Sequence, residues 1–181
     1  LPEEAETTDI GVEFKFKDSV LDVVYFTTDL TNLITYGNST YSNASGKSNR
    51  HGVEMKFNSL ISDNLYWRNN ATFTVAEDGN GTQVTRRPKW TGLTAIDWTK
   101  DQWTTTAEYL HTGSHLDIDS ATWATITQPA VGIANLHTNY EINDKANAIL
   151  SINNIGDKQY ERPDGYAQHG RNILLTYKLK F

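Results

Sequence analysis

The run Arg171-Asn172-Ile173-Leu174-Leu175-Thr176-Tyr177-Lys178-Leu179-Lys180-Phe181 decides the fold. Read as an extended strand, it places Ile173, Leu175, Tyr177, Leu179 and Phe181 on one face and Asn172, Thr176, Lys178 and Lys180 on the other, with Leu174 alone out of pattern. Side chains alternate across a strand, so a period of two over this length marks a long strand with one apolar and one polar face. The question it raises is what covers the apolar face, a protein core or lipid.

The same period recurs along the chain. Ile10, Val12, Phe14 and Phe16 alternate with polar residues, and a second strand returns over Val20 to Thr28 with either Val23 and Tyr25 or Val24 and Phe26 as its outer set. Val53, Met55 and Phe57 oppose Glu54 and Lys56 in a third. In a fourth, Leu65, Trp67, Ala71, Phe73 and Val75 share a face with Asn69. A fifth opens at Arg86-Arg87-Pro88, with Trp90, Thr94, Ile96 and Trp98 outward; proline is tolerated there because a strand start needs no N–H donor. Trp103, Ala107 and Tyr109 mark a sixth, and a hairpin around Asn143-Asp144-Lys145 joins 131–142 to 146–154. With the terminal strand this gives about nine strands in up-and-down order and no helical period.

Connections near residues 17, 60, 100 and 144 are short, whereas those near 40, 80, 120 and 162 are long. Transmembrane barrels place short turns on the periplasmic side and long loops outside, with aromatic girdles at both interfaces. Trp98 and Trp103 flank the short turn at Lys100-Asp101, where such a girdle belongs. A soluble antiparallel sandwich or barrel, such as a secreted binding module, shares the alternation. Strands of about ten residues, against a soluble mean of about 5–6, favour the membrane.

Composition narrows the functions. A net charge of −6 lacks the basic stripe that nucleic-acid binding requires, and the absence of cysteine excludes disulfides and thiolate metal sites. No apolar run is long enough for a transmembrane helix, and a mean hydropathy of −0.56 is compatible with a barrel whose alternate residues alone meet lipid. No nucleophile, carboxylate pair or phosphate loop is specific enough to indicate an enzyme. Leu1-Pro2-Glu3-Glu4 carries no leader pattern, so the chain reads as a processed or truncated piece.

An ordered set of short motifs carries a resemblance. These are Leu1-Pro2-Glu3, Tyr25-Phe26 through Asp29-Leu30 to Leu33-Ile34, Gly52-Val53-Glu54, Arg86-Arg87-Pro88, Asn153-Asn154-Ile155-Gly156-Asp157-Lys158-Gln159-Tyr160, Gly165-Tyr166 with Gly170-Arg171, and the terminal Phe181. Together they resemble the C-terminal β-barrel portion of a TonB-dependent outer-membrane receptor. The resemblance implies an all-β fold, an up-and-down antiparallel transmembrane barrel segment contributing about nine strands to a 22-stranded barrel. It implies that residues 1–181 lack the plug and TonB box, and that the parent receptor imports a metal chelate with energy supplied through TonB in the inner membrane. Implied partners are a ferric siderophore or similar ligand, the TonB complex through the N-terminal part, and outer-membrane lipid and lipopolysaccharide. No resident cofactor is implied. Leu175, Tyr177, Leu179 and Phe181 resemble the signal read by the barrel-assembly machinery.

The candidate ligand contacts sit in the long loops. Arg86 and Arg87 point to opposite faces if they lie in a strand, so one of them is placed to bond an anionic chelate; the alternative is a structural arginine bonded to a loop carboxylate. His111 and His115, followed by Asp117 and Asp119, offer nitrogen and oxygen donors for a metal or haem, although solvated loop residues fit the context better. Tyr36, Tyr41, Trp123, Tyr160, Tyr166 and His169 are loop rings able to stack on catecholate or corrin. The arginines and rings make a ferric catecholate the first expected ligand, with cobalamin and haem as alternatives. Asn38, Asn43, Asn70 and Asn80 open glycosylation-like triplets that a bacterial outer membrane does not read.

Overall fold

The computed structural model describes residues 1–37 and 39–181. Thirteen strands form: β1 (Glu4–Lys15), β2 (Ser19–Thr31), β3 (Ile34–Gly37), β4 (Thr40–Asn43), β5 (Ser48–Ser62), β6 (Leu65–Glu77), β7 (Trp90–Lys100), β8 (Trp103–Thr112), β9 (His115–Ile118), β10 (Thr125–Gln128), β11 (Val131–Asn143), β12 (Ala146–Asn153) and β13 (Asn172–Leu179). Nine of them make one antiparallel sheet in the order β1-β2-β5-β6-β7-β8-β11-β12-β13, while β3-β4 and β9-β10 are separate two-stranded hairpins. Each strand of the large sheet pairs with its neighbour along the chain, so the sheet is an up-and-down meander. It is open: β1 and β13 make no contact with each other.

The register sorts every strand by face. One ladder runs Ile10–Tyr25–Val53–Phe73–Trp90; another runs Trp67–Ile96–Ala107–Leu136–Ile152–Ile173. Leu175 and Tyr177 continue this apolar face at Leu150 and Ala148. It carries rings at both ends of the strands. Phe73 and Trp90 pack as tilted rings 4.9 Å apart beside the long loops, and Trp103 and Tyr140 pack likewise 4.6 Å apart beside the short turns. Trp90 and Trp98 stand near opposite ends of β7, roughly 26 Å apart at the rise of an extended strand. That separation matches an apolar band of about 25 Å between two aromatic girdles once tilt is allowed for.

The opposite face is polar and internally bonded. Arg68 on β6 grips Asp97 on β7 through Nε at 2.5 Å and Nη2 at 3.0 Å, and the Thr106 hydroxyl donates to the same carboxylate at 2.6 Å. On the next strands Asn135 donates to Glu108 at 2.8 Å, with His137 3.7 Å from that carboxylate. Cross-strand pairs of this kind fix register as well as satisfying polar groups. The second strand's ambiguity resolves here. Tyr25 and Val23 lie on the apolar face, whereas Phe26 is buried on the polar face against Gly52, under the Arg50 guanidinium at 5.2 Å. A Cβ at Gly52 would sit within 2.8 Å of the Phe26 ring, so only glycine admits that ring.

The short connections are tight. Asp63-Asn64, Asp101-Gln102 and Asp144-Lys145 join neighbouring strands, and Asp101 adopts a φ of 52°, the left-handed geometry that hairpin turns favour. Register shifts at Leu60/Ser62 and Glu141/Asn143 fall beside two of these turns. Three expectations need correction. The long connections near residues 40 and 120 are not simple loops, since each carries a small hairpin. The fifth strand begins at Trp90 rather than at Arg86, because Arg86 takes a φ of 60° and leaves the extended region. The terminal strand is regular only to Leu179; Lys180 N–H still donates to Lys145 O at 2.8 Å, and Phe181 projects beyond it, fully exposed.

The two-faced sheet yields a direct test on adjacent residues of β6. In a membrane-inserted barrel containing this chain, Ala71→Arg places a guanidinium on the apolar face and is expected to cost about 2–4 kcal/mol of unfolding free energy in vesicles. Thr72→Arg, on the polar face, is expected to cost under about 1 kcal/mol. Equal costs would contradict the assignment of faces.

Candidate functional site

Three of the long loops are tied together at one carboxylate. Asp117 in β9 is fully buried. Its Oδ1 accepts Arg86 Nε at 2.6 Å and its own neighbour's Ile118 N–H at 2.7 Å; its Oδ2 accepts Asp164 N–H at 2.9 Å. The left-handed turn at Arg86 aims that side chain, and Arg86 N–H also donates to Leu116 O at 2.6 Å. Asp164 extends the tie, accepting Ser120 N–H at 2.9 Å and Gln128 Nε2 at 3.1 Å. Burial opposes the charge on Asp117, but the Arg86 bond and the two backbone donors outweigh it and hold the carboxyl at about 2.

The last loop is braced from within. Asn154, with a φ of 51°, accepts Lys158 N–H at 2.9 Å and donates to Lys158 O and His169 O at 2.9 and 3.1 Å. Asp157 Oδ1 accepts Arg171 N–H at 2.8 Å, and Gln168 donates to Arg162 O at 3.0 Å. This loop folds over the polar face of β8 and β11 and leaves a crevice of about 320 Å³ beneath it. Leu110, Val131 and Ile133 form its apolar side, and Arg162, Tyr160 and His169 face them. Smaller crevices of about 180 and 250 Å³ adjoin it, and Arg162 lines all three.

The residues singled out in the sequence scatter. Arg86 is engaged by Asp117, while Arg87 is exposed and its one hydrogen bond runs to Arg86 O at 3.4 Å. The two arginines occupy a turn, so the opposite-face argument made for a strand does not hold. His111 lies on the apolar face in register with Gly92 and Gly132, whereas His115 lies in β9 with Nδ1 3.2 Å from Gly113 O and lines the 250 Å³ crevice with Arg86. Among the described residues, no group of three His, Cys, Asp or Glu side chains is placed to hold a metal. Tyr36 and Tyr41 stack on each other in the β3-β4 hairpin, 5.0 Å apart. Trp123 and Tyr166 are exposed on separate loops, at 80% and 67%. Of the candidates, Tyr160 and His169 line the 320 Å³ crevice. Asn38 lies outside the described residues. Arg162 and Asp164 escaped sequence reading, since nothing in Glu161-Arg162-Pro163-Asp164 announces that Asp164 meets Asp117, Ser120 and Gln128 or that Arg162 faces a crevice.

Known proteins place this architecture. A family model described as "TonB dependent receptor-like, beta-barrel" matches residues 1–155. The vitamin B12 transporter BtuB of Vibrio cholerae is 27% identical over 192 residues, covering 99% of this chain and 30% of that protein. The probable TonB-dependent siderophore receptor PiuA of Acinetobacter baumannii is 26% identical, covering 99% of this chain and 27% of the receptor. Among solved structures, a mutant ferric enterobactin receptor, PfeA of Pseudomonas aeruginosa, aligns with a TM-score of 0.85 at 20% identity, over 99% of this chain and 31% of that one. The chain thus spans less than a third of the length of the relatives it matches.

Asp117 supplies a pH test. Its folded pKa is depressed, so the stabilisation is present above the ordinary carboxylate value and is lost as pH falls through about 2. Hydrogen exchange at the Ile118 and Asp164 amides is expected to stay slow above about pH 4 and to accelerate below it. Arg86→Ala is expected to loosen both amides at neutral pH, by about 1–3 kcal/mol, because it strips a charge-assisted bond from a buried carboxylate. Unchanged exchange in that variant would remove Asp117 from its tying role.

Proposed function

We propose, since this chain belongs to the TonB-dependent receptor β-barrel family of the outer membrane, that it forms part of a receptor that binds a metal chelate outside the cell and imports it with energy delivered through TonB. The observation that carries the reading is the division of the sheet. One face is an apolar band between aromatic girdles, and the other is a polar wall roofed at its long-loop end by braced loops over a crevice of ligand size. A receptor needs this arrangement, with lipid on one side and a polar passage with a recognition end on the other. The relatives support the ligand class: their names include a vitamin B12 transporter and a siderophore receptor. A ferric siderophore is the first ligand proposed, with cobalamin or haem as alternatives, and the protein is read as a transport receptor rather than an enzyme.

On this reading residues 1–181 are the C-terminal part of the barrel, and the coupling to TonB resides in an N-terminal plug of the parent receptor. Leu175, Tyr177, Leu179 and Phe181 serve the assembly machinery, and the exposed rims meet lipopolysaccharide. Arg87, exposed and unpaired with any carboxylate among the described residues, is the member of the arginine pair left to meet ligand.

In cells carrying the full-length receptor, a labelled chelate is expected to bind with or without TonB but to enter only with it. Arg87→Ala is expected to weaken surface binding about tenfold, the worth of one charge-assisted hydrogen bond. Uptake that persists without TonB would overturn the proposal.

A further inference from the structure

The crevice beneath the last loop has a chemistry of its own, and an inference about it rests on the receptor reading above. Its polar frame is already satisfied from within. Asn154 N–H donates to Asn135 Oδ1 at 2.8 Å, Asn135 donates onward to Glu108, and Asn153 donates to Asn172 at 2.9 Å. Gln168 is held by the carbonyls of Arg162 and Tyr166. These carboxamides form a preorganised wall rather than a set of free donors. Besides the Thr112 hydroxyl on the strand wall, the side chains left over are the Arg162 guanidinium, the Tyr160 hydroxyl and the His169 imidazole, none of which makes a hydrogen bond among the described residues although all three line the crevice. Opposite them stand Leu110, Val131 and Ile133, an aliphatic strip on the polar face of the sheet.

The charge count limits what fits. One permanent cation, Arg162, faces the main crevice. The adjoining crevice adds Lys158 but also Glu161, so it contributes no net charge. Arg86, the other cation nearby, is neutralised by Asp117. A trianionic chelate entering this space would lose the hydration of several charges and recover one partner, a cost that grows with each unpaired charge. The expectation of a ferric catecholate drew on the arginine pair, one of which was to bond the chelate, and Arg86 is spent inside the protein.

We infer that the Arg162 crevice takes a chelate of low net charge, one anionic or carbonyl-rich edge of which is held by Arg162, Tyr160 and His169 while an apolar flank lies on Leu110, Val131 and Ile133. The guanidinium reads the oxygen edge, the phenol and imidazole add hydrogen bonds at its sides, and the aliphatic strip accepts the skeleton of the ligand.

The test uses the full-length receptor in lipid vesicles and three probes: cyanocobalamin, an uncharged ferric trihydroxamate and a trianionic ferric tris-catecholate. At least one of the first two is expected to bind about tenfold or more tightly than the third. Arg162→Gln is expected to weaken that binding about tenfold and Arg162→Lys to restore part of it, with both variants folding like the parent. Tightest binding of the tris-catecholate, or an Arg162→Gln receptor that binds as well as the parent, would overturn the inference and leave the receptor reading standing. Failure of all three probes to bind would overturn both.

Discussion

In hydrocarbon a backbone N–H or C=O without a partner costs several kcal/mol, and everything in this structure follows from that constraint. The nine-strand meander satisfies it between β1 and β13 strand by strand, in chain order, with the β3-β4 and β9-β10 hairpins set aside from the ladder. Two rows of groups are left over, along the outer edges of β1 and β13, which do not meet. The sheet does not curl so that these edges pair with each other, and a sheet embedded in lipid requires them paired.

The same constraint divides labour between the faces. Once the backbone is paired, side chains facing lipid need only be apolar, which is why Leu, Ile, Val and aromatic residues alternate so regularly. Polar-face residues are released from that demand and instead bond one another across strands, as Arg68, Asp97 and Thr106 do. The long loops obey neither rule. They carry buried polar groups outside the bilayer and satisfy them with long-range ties, of which Asp117 to Arg86 and Asp164 is the most demanding.

How much of this was legible follows from those rules. Strand positions and outward faces could be read directly, because lipid imposes a period of two on every strand; even Leu174 stands where the sequence puts it, on the polar face opposite Ser151. Phe26 was ambiguous because its burial on the polar face depends on a glycine across the ladder, at Gly52. The β3-β4 and β9-β10 hairpins were missed because such short polar strands have no periodicity to detect. Arg86 was misplaced because a left-handed φ at arginine leaves no local signature. Of the site, Tyr160 and His169 were legible as loop rings. Arg162 was not, since its importance lies in what it lacks, a carboxylate partner, and that is visible only in three dimensions.

The central claim is that lipid bathes one face of the terminal strand and polar surroundings the other. Single spin labels placed in turn at Ile173, Leu174, Leu175, Thr176 and Tyr177 of the full-length receptor in vesicles test it most directly. Collisions with oxygen, which concentrates in hydrocarbon, should be high at Ile173, Leu175 and Tyr177, and collisions with a water-soluble relaxant should be higher at Leu174 and Thr176. A profile without that alternation, or with its phase reversed, would contradict the account.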